Sequence, residues 1–169
     1  MKIQLSGVIN DSIVDGPGIR FTIFTQGCLH NCPGCHNPST HDPTGGYTAD
    51  IDALFEQIQK NKLLKGVTFS GGEPFLQAEA LAKLGVKAHA ISLNVVTYTG
   101  YTFDYLLANR EQHSGWQELL EQTDILIDGP FLLEQKSLLL SFRGSANQRV
   151  LDCKASLRDG TAVEMEQYK

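Results

Sequence analysis

Cys28, Cys32 and Cys35 fall within one eight-residue stretch with the spacing C-x3-C-x2-C. Three thiolates this close can share a metal centre and leave it one ligand short. A four-iron cluster takes one thiolate per iron, so three cysteines leave one iron open to bind and transform a substrate. Other readings of the same stretch stay open at this point. Cys153 could return as a distant fourth thiolate and close the cluster for electron transfer alone, although a buried strand cysteine is usually a small hydrophobe. His30 or His36 could complete a Cys3His zinc set. Zinc sites usually draw on two separated ligand pairs, and His36 is adjacent to Cys35. A disulfide between two of the three is the remaining option.

A second constellation, Ser70-Gly71-Gly72-Glu73-Pro74, follows about forty residues on. Two glycines at a strand end let a ligand approach the backbone closely. Backbone carbonyls and the Glu73 carboxylate could then hold a positively charged amine. Taken alone, a Gly-Gly pair reads as a tight turn. Asp128 closes another apolar run and suits either a cofactor or cation contact or a turn. Arg20, inside a predicted strand, suits a carboxylate ligand or a structural ion pair. His41, His89 and His113 are isolated and read as surface residues. Asp15-Gly16-Pro17-Gly18 is turn chemistry; no helical pattern follows it, so it is not a dinucleotide fingerprint.

The elements that must hold these residues alternate. Ile19 to Thr25, Gly66 to Phe69, Ile91 to Tyr98 and Asp124 to Ile127 read as strands. Ile51, Leu54, Phe55 and Ile58 mark one face of an amphipathic helix, capped by Thr48. Leu76 to Leu84, Phe103 to Leu107 and Trp116 to Leu120 read as further helices, with Trp116, Leu119 and Leu120 as core. Alternation of this kind predicts a largely parallel sheet with helical crossovers. Both chemical constellations then sit at strand ends, where α/β proteins place their sites. Arg149 to Ala155 and Thr161 to Glu166 flank Asp159-Gly160, the signal of a C-terminal hairpin. Five or six strands are too few for a full eight-stranded barrel, so the expected fold is an open, partial (β/α) barrel, residues 1–169 forming a single domain.

Composition narrows the function classes. Fourteen basic against nineteen acidic residues give a net charge of -5. No Lys/Arg cluster suits a phosphate backbone, which argues against direct nucleic-acid binding. No apolar run reaches membrane-spanning length and the N-terminus is not a signal peptide. Bunched cysteines suit metal or redox work in a reducing compartment, and a cytoplasmic location is expected.

Together, C-x3-C-x2-C after one strand and Gly-Gly-Glu-Pro after the next resemble the radical S-adenosylmethionine superfamily. The resemblance implies that Cys28, Cys32 and Cys35 hold a [4Fe-4S] cluster whose open iron chelates S-adenosylmethionine. It implies that Ser70, Gly71, Gly72 and Glu73 hold the methionine amine and that the backbone around Gly34 and His36 lies against the adenine. Reductive cleavage would yield a 5'-deoxyadenosyl radical. The superfamily usually carries an aromatic residue where this chain has Gly34, and His36 is the expected substitute. Val14 to Phe21 and Cys35-His36-Asn37-Pro38 are similar to activating enzymes of glycyl-radical proteins. Within these, Thr97 to Thr102, Ile127 to Phe131 and above all Phe142 to Arg149 resemble the anaerobic ribonucleoside-triphosphate reductase activators, although Ala146 stands where serine is expected. The implied partners are a large glycyl-radical reductase subunit and a low-potential electron donor. The last segment is expected at the site rim or partner contact, or else as a polar surface loop.

Overall fold

The computed structural model describes residues 1–169. Its strands are β1 (Lys2–Ser12), β2 (Arg20–Thr25), β3 (Tyr47–Asp50), β4 (Gly66–Gly71), β5 (Asn94–Tyr98), β6 (Ile125–Asp128) and β7 (Arg149–Asp152). Its helices are α1 (Ile51–Lys60), α2 (Ala78–Ala90), α3 (Phe103–Asn109), α4 (Trp116–Gln122) and α5 (Cys153–Asp159). All seven strands join one sheet in the order β3-β1-β2-β4-β5-β6-β7. The central strands β2, β4, β5 and β6 run parallel, with helices spanning the crossovers that parallel pairing requires. β1 pairs antiparallel with β2 and β3, and β7 antiparallel with β6. The sheet is mixed α/β and does not close on itself.

Side chains alternate across each strand, and the two faces differ. Phe21, Ile23, Val67, Phe69 and Val95 point to one face and join helix residues such as Leu54, Leu81, Leu84 and Leu119 in the main core. Each large apolar side chain buried there contributes about 1.5–3 kcal/mol. The opposite face carries Arg20, Thr22 and Thr68 under a smaller cluster of Val96, Ile125, Ile127 and Val150, with Phe142 packed against it. That second, more polar face leads to the site.

Arg20 is fully buried. Its guanidinium donates to Thr68 Oγ1 at 2.7 Å, Pro17 O at 2.8 Å, Val67 O at 2.8 Å and Asn94 Oδ1 at 2.6 Å. Neutral oxygens take the place of the expected ion pair. Burial pulls its pKa down to about 10, and it remains charged at neutral pH. By these bonds it pins the 12–18 loop beneath the sheet.

Three expectations are corrected. β1 and β3 add strands where no signal was read. Only Ile3 and Leu5 of β1 are core-facing before the alternation fades, and β3 is an edge strand without a buried residue. The N-cap of α1 is Asp50, which accepts from Asp52 N, while Thr48 lies in β3. The C-terminal hairpin is replaced by β7 followed by α5. Asp159-Gly160 ends that helix: Gly160 has φ +73° and donates its N–H to Ser156 O, a left-handed C-cap and not a hairpin turn. The tail still returns along β7, through Asp152 N to Val163 O and Met165 N to Val150 O, both 2.9 Å. Cys153 accordingly starts a helix, fully buried, with Sγ facing Leu120 O at 3.4 Å.

Candidate active site

The cysteine loop leaves the C-terminal end of β2. Gly27 N and Cys28 N donate to Thr40 O and His41 O, pinning the loop's two ends together. Between them Cys35 N turns back to Cys32 O at 3.1 Å, and Asn37 N donates to Cys35 Sγ at 3.4 Å. Asn31 and Gly34 adopt left-handed conformations. Gly34 has φ +75° and packs under Leu133, which a Cβ there would meet at 2.8 Å. An aromatic residue at position 34 would be strained in this turn. All three thiols are free and half-buried. Burial raises the Cys28 thiol above its ordinary value against a backbone hydrogen bond from His30 that lowers it; the Glu73 charge adds to the rise.

The Gly-Gly turn packs directly on this loop. Gly72 N donates to Thr25 O and Glu73 N to Gly27 O, each at 2.8 Å. A Cβ on Gly71 would collide with Thr25 N, and one on Gly72 with Gly27 O. The two glycines therefore let the end of β4 lie against the backbone that starts the cysteine loop.

The Glu73 carboxylate, expected at the methionine amine, is buried against the cysteine loop. Its side chain is 1% exposed and fully engaged within the protein. Oε1 lies 2.6 Å from His30 Nε2 and accepts from Gly100 N at 2.8 Å. Oε2 accepts from Phe75 N at 2.9 Å, and Thr99 Oγ1 reaches both oxygens at 2.9 and 3.0 Å. Glu73 thus ties the cysteine loop to the ends of β4 and β5. Asp128 is likewise engaged within the protein. It is buried, accepts from Arg149 at 3.0 and 2.6 Å and from Phe103 N at 2.7 Å, and does not line the cavity. Its role is to hold β7 and the start of α3.

Cys28, Cys32, Cys35, His36, Ser70, Gly71 and Gly72 line one cavity of about 700 Å3 at the C-terminal ends of the parallel strands. His36 packs on Phe131 with ring centroids 5.0 Å apart. Phe142, Arg143, Gly144 and Gln148 complete the far wall, so the segment read as a rim does border the site. Ala146 is exposed, where a missing hydroxyl leaves nothing unpaired. Sequence reasoning did not assign Tyr98, Thr99, Gly100 or Phe131. Their signal was positional: they lie at or just beyond the C-terminal ends of β5 and β6.

The alternatives left open by the cysteines narrow here. His30 Nε2 is committed to Glu73. Cys153 is buried elsewhere, against α4.

A family model described as a 4Fe-4S single cluster domain matches residues 14–151. The anaerobic ribonucleoside-triphosphate reductase-activating protein of Vibrio cholerae is 36% identical over 80% of this chain and 89% of its own length. Its Escherichia coli K12 counterpart is 33% identical over 82% of this chain and 91% of its own length. The chain belongs to the anaerobic ribonucleoside-triphosphate reductase-activating protein family. A pyruvate formate-lyase-activating enzyme of Staphylococcus epidermidis is 35% identical over 94% of this chain, which spans 64% of that longer protein. For a member of this activating-protein family, the donor set fits a four-iron cluster. Three free thiols share one cavity wall, one of them receiving an N–H bond, and the cavity lies within the ordinary 300–1,000 Å3 range of ligand pockets.

Proposed function

We propose that this chain is an iron–sulfur activase that uses S-adenosylmethionine to place a glycyl radical on an anaerobic ribonucleoside-triphosphate reductase. The observation that carries the reading is the shared cavity: three free cysteines and the Ser70–Gly72 backbone open onto the same space. Cys28, Cys32 and Cys35 hold three irons of a [4Fe-4S] cluster. Ser70, Gly71 and Gly72 face the methionine amine, and Gly34 and His36, with Phe131 behind, border the adenine. Glu73 and Asp128 hold these parts in place and do not touch the cofactor. When bound, the cluster supplies one electron and S-adenosylmethionine supplies the 5'-deoxyadenosyl radical that takes a hydrogen atom from a glycine Cα, leaving methionine, 5'-deoxyadenosine and the glycyl radical. The protein's own work is to hold cluster and cofactor against one wall, so that electron source and leaving sulfur are neighbours, and to keep water from the radical.

The electron comes from an external low-potential donor. The same reading includes a cytoplasmic setting, one domain over residues 1–169, and a sheet curled as a partial barrel around the cavity. No helix is long and apolar enough to cross a membrane. A pyruvate formate-lyase type partner is the second reading, favoured by the identity to that activator. The chain's fuller span of the reductase activators weighs against it.

The test uses anaerobically iron-loaded protein reduced with dithionite. Addition of S-adenosylmethionine should change the cluster's electron paramagnetic resonance spectrum, and 5'-deoxyadenosine should follow. With the reductase present a glycyl-radical doublet should appear, and with pyruvate formate-lyase it should not. An unchanged spectrum without cleavage sinks the enzyme reading.

A further inference from the structure

Two short segments at the mouth of the cavity hold aliphatic side chains out into water. Ile13 and Val14 are 73% and 69% exposed, and Leu138 and Leu139 are 89% and 96% exposed. Ile13, Val14 and Leu138 border the same opening, while Leu139 stands beside it and does not line the cavity. Neither segment is loose. Ser12 Oγ donates to Asp15 Oδ2 at 2.5 Å, Thr68 Oγ1 donates to Asp15 O at 2.8 Å, and Arg20 holds Pro17 O. The second segment is closed by a bridge between Lys136 and Ser145 and by Ser137 N to Gly144 O at 3.2 Å, and Tyr98 Oη donates to Phe142 O at 2.8 Å. The backbones are fixed from within, and the aliphatic groups still face outward. Monomeric proteins seldom gather exposed apolar side chains at one place unless something covers them.

We propose that these two segments are the jaws on which the reductase docks, and that it meets them with an apolar, uncharged surface surrounding its target glycine. The inference rests on the activase reading above. The reacting glycine belongs to another chain, so that chain must come to this opening, and the jaws are continuous with it. Charge points the same way. Asp15 and Arg143 are the only Asp, Glu, Lys or Arg residues on the cavity wall. Asp15 is bound to Ser12, and Arg143 donates to the carbonyls of Tyr168 at 2.6 Å, Gln148 at 3.2 Å and Ser141 at 3.3 Å. No unpaired charge is left on this wall for a partner, and the side chains that stand furthest into water at its rim are the aliphatic Ile13, Val14, Leu138 and Leu139, the kind of group that anchors a docking patch.

The test uses the full iron-loaded chain, S-adenosylmethionine, dithionite and the reductase. Leu139→Ser should release 5'-deoxyadenosine at the wild-type rate without reductase, yet need about tenfold more reductase for half-maximal glycyl-radical yield, a loss typical of an interface anchor. For Val14→Ser and Leu138→Ser the readout is glycyl-radical spins per 5'-deoxyadenosine released by the same variant. That ratio should fall at low reductase concentration and recover at high concentration. Unchanged reductase dependence in all three variants overturns the docking proposal and leaves the activase reading standing. A wild-type protein that cleaves S-adenosylmethionine but never marks the reductase overturns both. Sedimentation separates the other occupant: if wild type is a dimer that Leu139→Ser makes monomeric while reductase dependence is unchanged, the rim covers a second copy and the proposal fails.

Discussion

Glu73 shows how much a single buried carboxylate can organise. Four donors from three separate parts of the chain converge on it: the His30 ring, Phe75 N, Gly100 N and the Thr99 hydroxyl. Replacing Glu73 with Ala would leave those groups buried and unpaired, each at a cost of about 1–3 kcal/mol. Some of them will reach water, so the expected loss is about 2–4 kcal/mol of stability, read from the urea midpoint of the iron-free protein. His30→Ala removes one bond only. It should keep the fold and three cluster ligands but let the cysteine loop move relative to Gly71-Gly72, weakening S-adenosylmethionine binding about tenfold by equilibrium dialysis. His30→Gln should recover part of that loss. The cysteines divide in the same manner. Burial pushes the Cys153 thiol up to about 12, so in the folded iron-free chain at pH 8 iodoacetamide should modify Cys28, Cys32 and Cys35 and spare Cys153. Mass spectrometry after a short reaction reads the outcome; rapid labelling of Cys153 would contradict its buried placement. Because folding raises that pKa, its contribution to stability is complete below the unfolded thiol's value near 9 and declines as pH rises from there toward 12.

At the scale of elements, Asp128 and Arg149 join β6, β7 and the start of α3. Asp128 is 1% exposed while the Arg149 side chain is 30% exposed, so solvent tempers the pair. Arg149→Met should cost about 2–3 kcal/mol, below the 3–5 kcal/mol seen when a fully buried pair is broken. Thermal unfolding of the iron-free protein measures it, with Arg149→Lys falling between. This anchor was visible in the sequence only as an aspartate at a strand end. Its role depends on partners 21 and 25 residues away, which no local pattern encodes. The same holds for Glu73, whose identity was legible and whose partners were not. Elements with a strong period were legible: the stripe Ile51, Leu54 and Ile58 is the buried face of α1, and the parallel strands reveal themselves as short apolar runs. β1 and β3 lacked such a signal because their burial is partial. Asp159-Gly160 suited two structures, since a left-handed glycine ends a helix as readily as it turns a hairpin; the packing of Ala155 and Cys153 against the core selected the helix.

For the molecule as a whole, the question is whether iron makes the fold or only completes it. Small zinc domains unfold without metal because the ligands carry their folding energy. Here the main core is built from the strands, α1 to α4 and the start of α5, and none of Cys28, Cys32 or Cys35 belongs to it. The cysteine loop hangs from the end of β2 and is already closed by backbone bonds to residues 40 and 41. The iron-free chain should therefore keep its far-ultraviolet circular dichroism and unfold cooperatively. Loading iron and sulfide should raise the melting temperature, because a ligand that binds only the folded state stabilises it, and Cys32→Ser should abolish that rise. The effect should also be local. Hydrogen exchange should slow in residues 27–41, and through Glu73 in 70–75 and 99–101, while α1 and α2 exchange as before. An iron-free chain that is unfolded, or protection spread evenly over the sheet, would mean that the cluster is part of the core and that the division between scaffold and site drawn from the burial pattern is wrong.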